Sequence, residues 1–350
     1  MEPRKTFLPA LDSARGVAAV MVMGYHFYGS EQCHPYVPAF LANAYQCVDF
    51  FFVLSGFVLA RAYEGSLSSW RRSGDFLLLR LGRIWPLHAV YVVLFLCWFL
   101  SLRRIPALEE SGHAVFTLGL LHSVEALSRW SVGYNEPSWS ISAEWICYVL
   151  FALVSTVAWM RSLRRTRVYA ALSLVGLVLC LATHGGEGVG GMLYANGFLR
   201  GILGFFAGAL AFHLNEEWRP SSWEIRVALL AGPAAYLLNP GEGWWEFLFP
   251  FLCVPSVMVL AQPGLQRGLL AWKPLVWLGT VSYSVYIGHL FWGRVMERAF
   301  AGVPPGRLNA HGIVLGKAAV TLVVAALACR FIEGPCRQAV RRWVGARAQA

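Results

Sequence analysis

Charged residues are scarce in this sequence: they make up 14% of its 350 residues, against 57% for the hydrophobic set. A soluble domain normally has about a quarter of its residues charged, so the chain lacks the charge to cover several soluble domains. The high apolar content also excludes a disordered chain, and 8 cysteines are too thinly spread for a disulfide scaffold. The composition therefore predicts an all-α, polytopic transmembrane bundle.

Acidic residues are scarcer than basic ones, 19 against 29, which gives a net charge of +10. A nucleic-acid-binding protein would place such an excess on one continuous face. Here the basic residues form short clusters between apolar runs, such as Arg71-Arg72 and Arg161 to Arg167. This distribution is typical of loops that stay in the cytoplasm. It favours membrane lipid or an anionic cofactor as a partner and excludes nucleic acid.

Apolar runs long enough to cross a bilayer recur along the whole chain. They lie at roughly 11–29, 45–63, 84–102, 139–160, 168–184, 193–214, 224–239, 244–262, 275–295 and 312–332. Placing the arginine-rich loops inside puts both termini in the cytoplasm, which requires an even number of spans, about ten. Residues 1–350 are thus predicted to form one integral-membrane domain, multi-pass in a bacterial inner membrane.

Two stretches qualify this topology. The run 114–124 is too short to cross, so we expect it to re-enter or to lie at the interface, and a crossing there would break the even count. The first apolar run carries Arg15 and has no convincing cleavage site, so it is predicted to be a retained span and not a signal peptide.

The first span holds three ionisable residues, Asp12, Arg15 and His26. Arg15 and His26 are separated by a spacing that returns to nearly the same helix face, roughly 16 Å apart along the axis. Ionisable groups in spans are expensive, so they pair or line a polar cavity. The alternative is that Arg15 pairs with Asp12 or reaches the interface, and that His26 is a buried residue at a helix end.

The second informative stretch runs from Asn135 to Glu144 and opens the fourth predicted span. Counted from the external side, Glu144 lies at a depth similar to that of His26, so a histidine–carboxylate pair is expected. Such a pair raises imidazole basicity and fixes its tautomer, as a general base requires. The alternative is a structural glutamate bonded to Ser140 or Tyr148.

The third stretch places Arg80 and Arg83 at the predicted cytoplasmic start of the span 84–102. These residues are neighbours if the helix has already begun, and two adjacent guanidiniums bind phosphates well. An ordinary cytoplasmic anchor would look similar. No set of residues has the spacing of a metal site, so no metal is expected.

Other polar residues in the apolar runs are weaker indications. Asp49 is predicted at the external end of the second span, with Ser55 near its middle, and Tyr286 and His289 one turn apart in the ninth. Glu333 is expected to meet Arg337 or Arg330 at the end of the last span.

Two further patterns predict contacts that are structural. The GxxxG from Gly204 to Gly208 favours helix packing. Cys33 and Cys47 share the first predicted external loop, where a disulfide is possible.

Five blocks in this order resemble the membrane-bound acyltransferase 3 family, which O-acylates sugars and other hydroxyl compounds. The blocks are Arg15-x10-His26 preceded by Leu11-Asp12, Val48 to Phe57, Arg80 to Pro86, Trp139 to Glu144, and Gly279 to His289. The resemblance runs over nearly the whole chain, and it is to the standalone members of the family, which have no fused extracellular hydrolase-like domain. It implies an acyl-CoA donor on the cytoplasmic side and commonly a glycan acceptor.

The residues and the resemblance together assign expected roles. Arg15, Arg80 and Arg83 would hold the phosphates of acyl-CoA (acetyl-CoA) or orient it, and His26 would take the acceptor proton with help from Glu144. Further residues are expected beside the site or on the acceptor side: Asp12, Asp49, Ser55, Trp139, Tyr283, Tyr286 and His289.

The leading hypothesis is an O-acyltransferase that acts on a polysaccharide or its lipid-linked sugar precursor. One alternative is O-acylation of a small hydroxylated metabolite such as a macrolide. The other is a proton-coupled transporter in which His26, Glu144 and His289 form a proton relay. Transporters of this kind usually contain inverted repeats, and no such symmetry is evident here.

Overall fold

The structure is a computed structural model that describes residues 7–30, 33–102, 114–124, 135–184, 196–218, 222–238, 243–304 and 306–349. Every regular element in these ranges is helical, which confirms the all-α prediction. The long helices are α1 (Pro9–Tyr28), α2 (Cys47–Tyr63), α3 (Trp70–Ser101), α4 (Trp139–Met160), α5 (Arg165–His184), α6 (Phe198–Glu217), α7 (Trp223–Leu238), α8 (Phe249–Leu260), α9 (Lys273–Ala299), α10 (Arg307–Ala328) and α11 (Gly334–Gln349). A π-helix, Cys329–Glu333, joins α10 to α11.

Each predicted apolar run overlaps one of these helices, and within the described ranges seven helices are long and apolar enough to cross a membrane. The chain is therefore a polytopic helical protein. Three helices on predicted runs, α1, α7 and α9, are not among the seven. Helix α7 has only 16 residues, and α1 and α9 carry polar side chains that face each other and the interior. The total of about ten spans and the cytoplasmic position of both termini stay predictions.

Helix α3 begins earlier than the predicted start at residue 84. The hydroxyl of Ser69 caps it by accepting from the backbone N–H of Arg72 at 3.4 Å, and the helix runs for 32 residues. Its first turns are held by packing, since the buried Phe76 contacts the rings of Tyr148 and Phe151 on α4. Hydropathy alone did not predict these first turns, because they pack through only one apolar face. As a result, Arg80 and Arg83 lie inside the helix and not at its start.

Helices α1 and α9 form the most extensive contact in the bundle. A Cβ atom on Gly279 would lie 2.0 Å from the carbonyl oxygen of Asp12, so only glycine permits this approach. The two helices run in the same direction, because Gly16 lies against Gly279 and His26 against His289. Residues far apart in sequence are thus brought to equal depth.

Helices α2 and α6 pack through the predicted GxxxG. A Cβ atom on Gly208 would lie 1.9 Å from the carbonyl oxygen of Val53, and Gly204 lies against Phe52. The helix-packing interpretation of this motif is therefore confirmed.

The segment 114–124 packs beside the middle of α3 and the first turns of α4. Its described helical residues are 114–118. The indole N–H of Trp85 donates to the carbonyl of Leu118 at 2.9 Å, and the hydroxyl of Ser142 donates to the carbonyl of Leu120 at 2.9 Å. That the segment re-enters and does not cross stays a prediction.

The disulfide that the sequence permits is not formed, because Cys33 and Cys47 are both free and buried. The thiol of Cys33 points to the carbonyl of Ala310 on α10, and Cys47 starts α2 inside the core.

Candidate active site

A cavity of about 300 Å³ lies between α1, α2, α3, α4 and α9. It collects residues from all five sequence blocks. Those of the predicted site that line it are Asp12, Arg15, Ser55, Arg80, Arg83, Glu144, Tyr283 and Tyr286. Arg61, at the end of α2, also lines it, so four arginines face two carboxylates there. The cavity therefore has a surplus of positive charge.

The three predicted arginines are held in different ways. Arg15 donates from Nη2 to Asp12 Oδ1 at 2.6 Å and to the carbonyl of Gly279 at 3.0 Å. Arg80 donates to the hydroxyl of Tyr63 at 3.1 Å and lies over its ring. The Asp12–Arg15 pair that the sequence suggested is thus present, and it faces the cavity.

Arg83 differs from both. Within the part of the chain that the structure describes, its guanidinium has no hydrogen bond and no ion pair within 4.0 Å. Three carboxylates act on it electrostatically at longer range, those of Glu333, Glu144 and Asp12. A guanidinium has five N–H donors in a fixed fork that matches phosphate or carboxylate. Arg83 is therefore a cation whose donors are available to a ligand in the cavity.

Glu144 lies among these arginines and accepts two hydrogen bonds at the same carboxylate oxygen. The hydroxyl of Ser55 donates at 2.8 Å and that of Tyr148 at 2.5 Å. The bond to Tyr148 is one that the structural interpretation of Glu144 anticipated. The direct pair with His26 that depth counting suggested is not formed, because Glu144 lines the cavity together with Arg83, whereas His26 does not line it and bonds Val22 and His289.

His26 lies above the cavity and is bonded to another histidine. Its Nδ1 is 2.9 Å from the carbonyl oxygen of Val22 and 3.2 Å from Nε2 of His289. His26 is half-buried, whereas His289 is fully buried. The carboxylate whose charge acts on His26 is Glu136, about two helical turns before Glu144. The stretch from Asn135 to Glu144 thus supplies two carboxylates: Glu144 lines the cavity, and the charge of Glu136 acts on His26.

Tyr286 lies between the cavity and the histidines. Its ring lines the cavity next to Phe51 and is 5.9 Å from the ring of His289. Its hydroxyl bonds to Ser140 at 2.8 Å and donates to the carbonyl of Pro137 at 3.1 Å. Tyr283, one turn earlier, donates to a backbone carbonyl of α3. Both tyrosines therefore join α9 to the helices that carry Glu144 and Arg83.

Asp49 and Trp139 do not line the cavity but surround an arginine that the sequence analysis missed. Arg200 donates to both carboxylate oxygens of Asp49, at 2.7 and 3.2 Å, and its guanidinium lies 4.9 Å from the ring centre of Trp139. The available signal was a single basic residue inside a predicted apolar run, since a charge within a span normally finds a partner.

The position of Glu333 at the end of the last span was predicted from the sequence, but its action on the arginines of the cavity was not. The expected contact with Arg337 is present at 3.8 Å, and the hydroxyl of Ser284 donates to Glu333 at 3.1 Å. The π-helix buries this carboxylate, where its charge acts on Arg83 and Arg15. π-helical turns often occur at functional sites, and no sequence pattern predicted this one.

Comparison with known proteins gives consistent matches. The model of the acyltransferase 3 family, described as an acyltransferase domain, matches residues 8–330. Acyltransferase MdmB of Streptomyces mycarofaciens is 26% identical over 98% of this chain and 95% of its own length. O-acetyltransferase OatA of Staphylococcus aureus (strain NCTC 8325 / PS 47) is 24% identical over 95% of this chain, which spans 57% of that relative.

A shorter match is Protein 2 in picA locus of Rhizobium radiobacter, 30% identical over 49% of this chain and 93% of its own length. No solved structure matches the chain. Because the family model covers nearly all of the helical bundle, including every block that lines the cavity, the chain belongs to the acyltransferase 3 family and is an acyltransferase that transfers groups other than aminoacyl groups.

Proposed function

We propose that the protein is an integral-membrane O-acyltransferase of the bacterial inner membrane that moves an acetyl group from acetyl-CoA to a hydroxyl of a polysaccharide or its lipid-linked sugar precursor. The observation that carries this proposal is the arginine-lined cavity, and within it the guanidinium of Arg83, which has no bonded partner among the described residues. A cavity with surplus positive charge suits a phosphorylated donor.

The donor would enter with its phosphates near the arginines. Arg15, Arg80 and Arg83 come from two helices and line the same space. A volume of about 300 Å³ is at the lower end of the range for small-molecule sites, so it suits only part of a CoA molecule. Phe7 and Leu8 at the start of α1 mark the end of the cavity that is cytoplasmic in the predicted topology.

Glu144 would act on the donor side of the reaction. It offsets part of the charge of Arg15 and Arg83 and holds the hydroxyls of Ser55 and Tyr148 against the cavity wall. Ser55 thereby orients Glu144 in this proposal. The two hydrogen bonds from Ser55 and Tyr148 keep the Glu144 carboxylate where the thioester end of the donor would lie.

His26 would act as the general base for the acceptor. It removes the proton from the acceptor hydroxyl while the oxygen attacks the thioester carbon, and the C–S bond then breaks to release the CoA thiolate. The proton held by His26 neutralises the leaving thiolate. Tyr286, which contacts both the cavity wall and His289, is where the acyl group would pass to the acceptor.

The sequence alternatives make different demands on these residues. A small hydroxylated acceptor such as a macrolide would use the same base and donor site. It is the second candidate because MdmB, which is matched along 95% of its own length, is named an acyltransferase with no polysaccharide acceptor in that name. A transporter would need a proton relay through His26 and Glu144, but each is bonded to a different set of residues.

The test uses the purified full chain with [14C]acetyl-CoA and three acceptors: peptidoglycan fragments, cello-oligosaccharides and a macrolide lactone. We expect label in the sugar acceptors, and loss of transfer in His26→Ala by about 10²–10⁴-fold with an unchanged melting temperature. Label in the macrolide alone would overturn the polysaccharide acceptor. An active His26→Ala protein would overturn the role of His26, and no transfer to any hydroxyl would contradict the whole proposal.

A further inference from the structure

Two histidines from opposite ends of the chain lie side by side above the donor cavity. His26 Nδ1 and His289 Nε2 are 3.2 Å apart, and their ring centres are 4.8 Å apart. The glycine contact between α1 and α9 sets this register, since Gly16 and Gly279 precede His26 and His289 by equal numbers of residues. The contact is therefore built by a helix pair whose backbones approach closely at glycine.

The backbone determines which nitrogens of this pair carry protons. His289 Nδ1 is 2.6 Å from the carbonyl oxygen of Tyr286, which only accepts, so Nδ1 carries the proton. His289 is fully buried, where the neutral ring is favoured, so its Nε2 is an acceptor. That acceptor points at Nδ1 of His26.

The same logic applies to His26. Its Nδ1 faces two acceptors, the carbonyl of Val22 and Nε2 of His289, so Nδ1 carries the proton and Nε2 does not. The Val22 carbonyl already accepts the helical hydrogen bond from the amide of His26. The imidazole of His289 is thus the side-chain acceptor that keeps His26 in the tautomer with a free Nε2.

We propose that His289 is a positioning residue: as a neutral, buried hydrogen-bond acceptor it holds His26 with Nε2 unprotonated and aimed at the acceptor hydroxyl. In serine proteases a carboxylate does this for the catalytic histidine. Here the acceptor is an uncharged ring, so the pair adds no net charge to the membrane interior. When His26 takes the proton, its Nδ1–H bond to His289 becomes charge-assisted and stabilises the imidazolium.

This inference rests on the proposed function, in which His26 is the base, and the first measurement is independent of activity. In protein labelled with 15N-histidine, the ring nitrogens of His26 are assigned by the signals that disappear in His26→Ala. At neutral pH we expect Nδ1 to be protonated and Nε2 to be bare. A protonated Nε2 in the wild-type protein would overturn the proposal whatever the variants do.

The second measurement compares two variants with [14C]acetyl-CoA and the three acceptors. His289→Leu removes the acceptor and should lower kcat by about 10–100-fold while the KM for acetyl-CoA stays unchanged. His289→Gln should restore most of the rate, because its amide oxygen can accept from His26 Nδ1. A merely structural role predicts that both variants lose stability and rate together.

The matched control is His311→Leu. His311 is half-buried, whereas His289 is fully buried, but it too bonds a side chain of α1, the hydroxyl of Tyr28 at 2.6 Å, and it does not contact His26. Its loss should leave kcat and the 15N pattern of His26 unchanged. If His26→Ala is inactive and His289→Leu keeps full kcat, only this inference falls. If His26→Ala is active, the role of His26 as the base falls, and this inference falls with it.

Discussion

Arg200 and Arg83 both lie inside the helical bundle near carboxylates, yet their surroundings are opposite. Arg200 is 1% exposed, binds both oxygens of Asp49 and lies on the face of Trp139. Arg83 lines the cavity and, among the described residues, has no bonded partner. The first is a closed ion pair, whereas the second is a cation with its donors open.

This difference separates a charge that holds the fold from one that is available for binding. A buried ion pair with both partners in place is tolerated, but removing one partner leaves an uncompensated charge in the interior. An open guanidinium that lines a cavity keeps its donors accessible, so a phosphate there can accept charge-assisted hydrogen bonds from it. We therefore expect substitutions at the two arginines to affect different properties.

The largest effect is expected for the closed pair. Arg200→Leu should lower the free energy of unfolding by about 3–5 kcal/mol, because Asp49 is left buried without its counter-charge. Chemical denaturation in detergent measures this. The double variant with Asp49→Leu should recover a substantial part of the loss. Unchanged stability in Arg200→Leu would contradict the interpretation that Arg200 stabilises the fold whereas Arg83 is available for binding.

The next effect concerns the carboxylate that faces Arg83. Glu144→Gln keeps an oxygen for Ser55 and Tyr148, so the fold should be unaffected, while kcat should fall about 10²-fold. Steady-state kinetics separate kcat from KM. Glu224→Gln is the control, since that carboxylate is exposed on α7 and does not line the cavity. A wild-type kcat in Glu144→Gln would make Glu144 a structural residue.

The open arginine is expected to affect donor binding. Arg83→Gln should raise the KM for acetyl-CoA by roughly tenfold to 150-fold, the equivalent of a lost charge-assisted bond of about 1.5–3 kcal/mol, without lowering the melting temperature. Arg72→Gln, an exposed arginine on the same helix, should change neither. If the donor KM also stays unchanged in the double variant with Arg80→Gln, both arginines are topology anchors.

The smallest effect is expected where a pair is only partly closed. Asp12 and Arg15 are each about a quarter exposed, with a contact of 2.6 Å. Asp12→Asn should change stability by less than about 1 kcal/mol, as for exposed pairs. It removes a negative charge from the cavity, so the KM for acetyl-CoA should fall. A rise in this KM would mean that Asp12 orients Arg15 more than it repels the donor.

Sequence reasoning found the members of the cavity but paired some of them incorrectly. Arg15, Arg80, Arg83 and Glu144 were all recognised as polar residues in or at apolar runs, and all four line one space. The expected partner of His26 was Glu144, because both were counted to a similar depth. The earlier start of α3 and the position of α4 beside it put Glu144 with the arginines instead.

The contacts that the sequence analysis did not predict have a common cause. Arg200 meets Asp49 across a separation of 151 residues, and His289 meets His26 across 263. Depth along a single helix can be counted from its sequence, but the neighbour at that depth depends on which helices pack together and in which direction. The parallel contact of α1 with α9, set by Gly16 and Gly279, is a property of the assembled bundle.

Composition and periodicity by themselves determined the all-α membrane architecture, because hydrophobic length and the scarcity of charge act locally along the chain. The ordered blocks determined the family for the same reason, as each is a short run of residues on one helix. Only the tertiary structure decided that Asp49 closes on Arg200, that Arg83 stays open, and that His26 is held by His289. These depend on helix register and direction, which close glycine contacts set between segments that are distant in sequence.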